Sequence, residues 1–489
     1  MLRFFEILPG ALVWSTFVAV SLLSLWWPSG IAVFFVVYSF FWLCRIVYLH
    51  FHLRHSFRAV RSNLKVDWLA KARSVKGWEE IYHLVVLPMY KEPVQVVRES
   101  FIALRNARYP GEKLIVVLAT EERGGEEAVA TARVIQNEFG SDFFKLIVTV
   151  HPAGLPGEIP GKGSNESWAT RVAKEKIIDP LKLPYEKIIV SVFDCDTQAS
   201  PEYFGRLTYL FLTCEKPLRS SYQPVPLFLN NIYSTPIFSR VMSFFPTFWQ
   251  MMQQSRPEQL STFTSQAMPF KALVEVGFWD NNVVSEDSLI FWKFYLHYDG
   301  DWKTVPMLYP VSMDATSGRD FWEAALNLYR QQRRWAWGTE NIPYMLSGFS
   351  KNKKIPFRKK FFWTFIFMEG FFSWSTAPFI LFILGWLPLF IGPQEFSETV
   401  ISYNLTRIVS PILNLSNFFL FASAILSITL LPPKPGWFRK KHYVLYFLQW
   451  LLVPVLILVF SAVPAIESQT RLMLGGRFRL GFWPTPKNR

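Results

Sequence analysis

Two apolar runs near the N-terminus limit what this chain can fold into. Residues 7–27 and 31–49 each approach the ~20 apolar residues that a helix rising ~1.5 Å per residue needs to cross a bilayer core. Only Pro28-Ser29-Gly30 separates them, so the pair reads as a transmembrane hairpin. A cleaved signal peptide is the competing reading of the first run. Trp26-Trp27-Pro28, however, lacks the small residues of a cleavage site, and a second span follows at once.

The whole composition agrees with lipid contact: at 51% hydrophobic and 17% aromatic, the 489 residues are too apolar for an ordinary soluble protein. His50, His52, Arg54, His55, Arg58, Arg61 and Lys65 follow the second run directly. Positive charge at a membrane edge marks the inner side, so the expectation is a multi-pass protein of the cell membrane with a cytoplasmic body. The net charge of +14 reads first as attraction to anionic membrane lipids. Nucleic acid is the other partner that such charge suits, but residues 65–344 carry no signature of a nucleic-acid-binding module, and none is expected to bind. Cys44, Cys195 and Cys214 are scattered, which suits a reduced compartment and argues against a cysteine zinc site.

Between the membrane segments the pattern alternates. Residues 83–88, 113–119, 145–150 and 188–193 are continuous apolar runs, as in strands covered on both faces, and 94–106, 126–139 and 165–176 read as helices between them. The expected fold class is α/β with a mainly parallel sheet, flanked by transmembrane and interfacial helices. The expected division is a hairpin over 1–52, a cytoplasmic body over 53–350, interfacial and transmembrane helices over 351–466 and a basic tail over 467–489. Residues 361–391 are apolar but broken by Gly370, Pro378, Gly385 and Pro388, and their first part, behind Lys353, Lys354, Arg358, Lys359 and Lys360, suits the interface plane. Residues 408–431 and 443–465 are cleaner spans, joined by a loop with Lys434, Arg439, Lys440 and Lys441. Counting these crossings sends the tail outside, against the charge of Arg471, Arg477, Arg479, Lys487 and Arg489. The charge rule is given precedence, so the crossing count is expected to differ by one.

In sheets of this kind ligands bind beyond the carboxyl ends of the strands. There "EKIIVSVFDCDTQAS" (186–200) drives an apolar run into Asp194 and Asp196. On an extended chain residues i and i+2 project together, so both carboxylates are expected at one spot, with Cys195 turned into packing. Such a pair can hold Mg2+ or Mn2+, and an Asx turn before Pro201 is the competing reading. A phosphohydrolase of the aspartyl-phosphate type also begins with an hhhhDxD run, but Gln198 stands where its Thr or Val belongs.

Three more stretches carry chemistry. In "VSEDSLI" (284–290) Glu286 and Asp287 head a helix-like run, suited to a general base or to helix-dipole compensation. In "YRQQRRWAWG" (329–338) Gln331, Arg334 and Trp335 share one helical face, an amide, a guanidinium and an indole suited to a phosphate beside a sugar ring or to a membrane interface. "PGKGSNES" (160–167) is a Gly-rich turn in which Lys162 and Asn165 lead into a helix.

Taken in order, these residues resemble a membrane-integrated family 2 glycosyltransferase, the group that includes bacterial cellulose synthase, chitin synthase and hyaluronan synthase. The resemblance spans residues 83–487 and rests on an ordered DxD, ED and QxxRW set. It implies a GT-A-like nucleotide-sugar-binding domain that transfers sugar from a UDP- or GDP-linked donor, with inversion, to a growing polysaccharide exported across the membrane. By the match, Asp194 and Asp196 bind the metal and the donor diphosphate, and Asp287 is the base. Glu286, Gln331, Arg334 and Trp335 hold diphosphate and acceptor. "LPMYKEP", with Tyr90 and Glu92, is similar to the family's first nucleotide loop, and "KGSN" is similar to its KAGN segment, giving Lys162 a diphosphate role. "FWPTPK" resembles the FxVTxK gating loop, with Phe482, Thr485 and Lys487 closing over the donor, which requires a cytoplasmic tail. The chain departs from the family in carrying "ATEERGG", with Glu121 as nearest acid, where an Asp-rich turn meets the nucleobase, and Ser285 where Thr is commoner. No cyclic-nucleotide sensor is expected after the last span. The same motifs also serve enzymes that add one sugar to a lipid carrier or glycolipid. From another class, a transporter with a cytoplasmic regulatory domain explains the spans, and a non-catalytic scaffold predicts indifference to Asp194 and Asp196.

Overall fold

The structure, a computed structural model, describes residues 1–487, and Arg489 of the tail lies outside them. Helix α1 (Leu2–Trp26) breaks at Trp27, and α2 (Pro28–Asn63) starts on a proline, a residue that has no N–H to leave unpaired in a first turn. The 36 residues of α2 extend about 54 Å, beyond a hydrocarbon core of ~30 Å. The helix therefore continues through the boundary expected at residue 52 and into the body, where Asn63 Nδ2 donates to Leu308 O at 2.9 Å.

The body is built on one sheet of eight strands: β1 (Tyr82–Pro88), β2 (Leu114–Glu121), β3 (Lys145–His151), β4 (Ile188–Val192), β5 (Gln198–Ala199), β6 (Ser220–Phe228), β7 (Ala267–Pro269) and β8 (Lys303–Met313), in the order β3-β2-β1-β4-β7-β6-β8-β5. Four of the seven pairings are parallel, β1 with β2 and β4, β2 with β3, and β6 with β8. Side chains of β1 alternate between two cores. Val85 and Leu87 pack with Phe101 of α3 (Val94–Arg105) and Ile135 of α4 (Gly125–Phe139), while Leu84 and Val86 pack with Ala169 and Ala173 of α5 (Lys162–Ala173). Burial on both faces is why these strands read as unbroken apolar runs. β6 and β8 do not: Pro224 and Pro226 interrupt one and Pro306 and Pro310 the other, with a register shift between Gln223 and Val225. Three further helices position the site: α6 (Ile237–Gln254), α7 (Glu286–His297) and α8 (Phe321–Ala336).

Helix α9 (Phe357–Phe382) passes through Gly370 and Pro378 without a break; the chain turns only at Ile383, φ −133° and ψ −67°. Its later part packs along the hairpin, with Arg45 of α2 paired to Glu369 and the Phe17 and Phe379 rings 5.6 Å apart. Then follow α10 (Val400–Leu430) and α11 (Lys440–Leu474). Among the described residues five helices, α1, α2, α9, α10 and α11, are long and apolar enough to cross a membrane. Within α11 a 3-10 turn precedes Pro454 and a π turn precedes Pro464, the local adjustments expected where proline removes a ladder donor.

Helix α11 touches the body along its length. Arg240 of α6 lies 4.0 Å over the Tyr446 ring, Phe238 stacks on Phe460 at 5.5 Å, and Tyr329 and Arg333 of α8 reach Glu467 at 2.6 and 2.8 Å. Its C-terminal end also meets the start of α1, where Arg3 donates to Leu472 O at 3.0 Å.

Candidate active site

The carboxyl ends of β1, β2 and β4 deliver Tyr90, Glu121 and Asp194 to one cavity of about 150 Å3. Glu92, Lys162, Glu286, Asp287, Gln331, Arg334, Trp335, Phe482, Thr485 and Lys487 also line it. Of the residues singled out from the sequence, Asp196 and Asn165 are not in its lining.

Lys162 stands at the centre. Starting α5 at Lys162, three residues sooner than expected, puts the ammonium in the first turn. Its Nζ lies 2.8 Å from Asp194, 2.7 Å from Asp287, 3.5 Å from Glu166 and 3.6 Å from Glu286. Burial alone would lower the Lys162 ammonium, but the four carboxylates hold it well above its ordinary value. Burial likewise opposes ionisation of Asp194, yet Lys162, Lys487 and Arg334 hold its carboxyl at about 2. Burial and neighbouring Asp287 push Glu286 up to about 7, and burial carries Glu166 well above the usual carboxylate range against the pull of Lys162.

Close approach of α5 to α7 needs Gly163: a Cβ there would lie 2.9 Å from that of Glu286. Asn165 Nδ2 donates to Ala119 O at 2.7 Å, fastening the same turn to β2. Glu286 and Asp287 occupy the first turn of α7, where carboxylates complement the helix dipole. Their loop is held by Glu340, which accepts from Val284 N at 3.0 Å, Ser285 N at 2.8 Å, Ser285 Oγ at 2.6 Å and, on its second oxygen, Trp337 Nε1 at 2.8 Å. Gln331, Arg334 and Trp335 share one face of α8 as expected, while Arg333 turns away to Glu467.

Asp194 and Asp196 do not project from a strand as expected, although Lys487 acts on both. β4 ends at Val192, so the pair lies in a turn instead of on the strand, and i, i+2 alternation lapses. Asp194 faces Lys162 and Thr264, whereas fully buried Asp196 accepts from Lys487 Nζ at 2.6 Å and Asp314 N at 2.9 Å. Asp314 is pushed up to about 8 by burial and by Asp196. Cys195 is buried, as expected.

The tail enters the cavity as well as bordering it. Phe482 packs where a Cβ on Gly161 would stand, and Arg334 lies 5.2 Å over its ring.

Three features escaped the sequence reading: Glu166, Asp314 and Glu340. Glu166 carried a signal, standing one helical turn after Lys162. Asp314 repeats the pattern of an apolar strand ending on an acid. Among the described residues, Glu166, Glu286 and Asp287 form the carboxylate group whose oxygens approach within 4.8 Å, a set that differs from the expected Asp194 and Asp196. Both oxygens of Glu166 and of Glu286, with Asp287 Oδ1 and Asp196 Oδ1, are buried without a hydrogen-bond partner. Hard oxygens left open in this way fit Mg2+ or Mn2+.

No protein-family model matches the chain, and no curated protein matches it. Among solved structures it is similar to a mannosyltransferase from Pyrobaculum calidifontis in complex with GDP-Man and Mn2+, at 16% identity over 81% of this chain and 98% of that one, TM-score 0.44. It is also similar to S. aureus TarS 1-349 in complex with UDP-GlcNAc, at 11% identity over 81% and 91%, TM-score 0.38.

Proposed function

We propose that this protein is a membrane-bound glycosyltransferase that moves a sugar from a UDP- or GDP-linked donor to a glycan acceptor, with inversion. One observation carries the reading: an ammonium, a guanidinium, an indole and several carboxylates from separate stretches share one cavity at the carboxyl edge of the sheet.

Asp287 is the base. Its Oδ1 has no hydrogen-bond partner and so is open to the acceptor hydroxyl proton. The hydroxyl oxygen attacks the anomeric carbon as the bond to the diphosphate breaks, and the electron pair leaves on the nucleotide. Lys162 and Arg334 meet that growing negative charge in a site shielded from water. A divalent cation would be held by Asp194, the acid of the expected pair that lines the cavity, with the open oxygens of Glu286, and when bound would supply further charge stabilisation to the diphosphate. Trp335 offers a ring face to a sugar. Tyr90, Glu92 and Glu121 border the nucleotide end.

Ligand sites for molecules of this size measure roughly 300–1,000 Å3. At about 150 Å3 the cavity is too small with the tail inserted, so the tail withdraws before donor enters and closes again behind it.

We place the body, the N-terminus and the tail on the cytoplasmic side of the cell membrane. A straight span leaves its two ends on opposite sides, but both ends of α11 adjoin the body. Helices α1, α2, α9 and α10 then make four crossings, and α11 lies along the inner surface. This arrangement returns the tail cations to the side their charge favours. A growing polysaccharide, exported past the aromatic-rich spans, is the product we favour over a single sugar on a lipid carrier.

The test is nucleotide release from purified protein fed a panel of nucleotide sugars with Mn2+ or Mg2+. Turnover that chelation stops is expected, and product length separates a chain from a lipid-linked monosaccharide. A protein that binds none of the donors and releases no nucleotide refutes the proposal.

A further inference from the structure

We propose that a groove between α2 and α10 binds an anionic phospholipid of the inner leaflet through its phosphate. The groove measures about 640 Å3 and is separate from the acid cavity. One wall carries Arg54, Arg58, Arg61 and, just past the end of α2, Lys65; the other carries Ile425 and Leu426 of α10. The spacing of the cations, i, i+4, i+7 and i+11, places them on one helical face.

Two observations point to the ligand. All four cations are exposed, and among the described residues none has a carboxylate within 4.0 Å, whereas Arg45 higher on the same helix is paired with Glu369. Like charges one turn apart repel, so an anion between them relieves a cost built into the fold. Depth supplies the second observation. Helices α2 and α10 run in the same direction: Phe35 packs with Leu405 and Val409, and further along the His50 and Phe419 rings lie 5.4 Å apart. From that level Arg54 and Arg58 are about 6 and 12 Å farther on, and Ile425 and Leu426 about 9 and 10 Å, at 1.5 Å per residue. At one depth, then, the first wall is cationic and the second apolar, with Ile425 57% exposed. Water alone suits only the first wall and hydrocarbon only the second. A phosphate attached to acyl chain satisfies both.

The inference needs only the membrane placement of α2 and α10, so it stands or falls independently of the transfer chemistry. Full-length protein is reconstituted in phosphatidylcholine nanodiscs containing phosphatidylglycerol, and retained lipid is counted by native mass spectrometry after detergent extraction. Arg54→Gln with Arg58→Gln should lower phosphatidylglycerol retention by about fivefold for each cation removed. Lys351→Gln with Lys353→Gln, which removes equal charge elsewhere, should leave it unchanged. Ile425→Trp, which fills the groove from the opposite helix with every cation kept, should lower retention too, and covers the case in which the arginine variant fails to fold. Equal losses in both charge variants would reduce the effect to general surface charge and overturn the site. Undiminished retention in the arginine variant, or competition by inorganic phosphate as effective as that of the lipid, would also overturn it.

Discussion

Replacing Lys162 with Met keeps the length of the side chain and removes the charge that four carboxylates share. The Asp194 share can be worked out. Its carboxyl, 26% exposed, is held at about 2 against an ordinary 3.8. At about 1.36 kcal/mol per pKa unit this is about 2.5 kcal/mol of folding stability, an upper figure for Lys162, whose effect is the largest of the three cations acting on Asp194, the others being Lys487 and Arg334. A depressed carboxyl contributes in full above its unfolded value, and the contribution is lost as pH falls from about 4 through 2. At pH 3 about half remains. The assay is the urea midpoint of parent and variant in detergent at pH 7, 5 and 3, followed by tryptophan emission. The parent should exceed the variant by a similar margin at pH 7 and 5 and by about half as much at pH 3. Equal midpoints at pH 7, or a margin that does not shrink on acidification, would refute the picture of Lys162 as the counter-ion of Asp194.

Four other outcomes are expected. Asp287→Asn should abolish transfer while donor binding, measured by calorimetry, persists; retained turnover removes Asp287 as the base. Glu340→Gln exchanges charge-assisted hydrogen bonds, worth about 1.5–3 kcal/mol each, for neutral ones at the loop carrying Glu286 and Asp287, so kcat should fall by about tenfold or more with donor affinity kept. Deleting residues 482–487 should speed entry of a fluorescent nucleotide into the cavity yet lower turnover, as seen by stopped flow; unchanged entry means that the tail does not plug the site. His83 is held neutral at about 3 by burial, so the protein should lose up to about 1.4 kcal/mol per pH unit as pH falls below 6.5, and His83→Asn should flatten that dependence in pH-resolved melting.

How much of this was legible in the chain follows from where each signal resides. β1, β2 and β4 announced themselves because both of their faces are buried, β3 by a half-buried apolar run at the sheet edge, and the hairpin because lipid demands long apolar runs. The motifs around Asp194, Asp287 and Arg334 were legible as local chemistry. Their shared cavity depends on contacts between stretches far apart in the chain, so only the family resemblance anticipated it. β6 and β8 were hidden by their prolines. The parting of Asp194 from Asp196 turned on one fact no pattern carries, that β4 ends two residues before the first acid. Glu340 was missed because its task is to hold a loop 55 residues upstream, which leaves no mark on its own neighbours.

The ion pair between Asp196 and Lys487 joins positions 291 residues apart. A ribosome adding 5–20 residues per second needs about 15–60 s to cover that distance. For that interval a nascent chain carries a finished β4 and an acid whose cation does not yet exist. The body must therefore mature with its centre open to water and seal only when the tail arrives. A bulky tag fused close behind Lys487 would obstruct that last step.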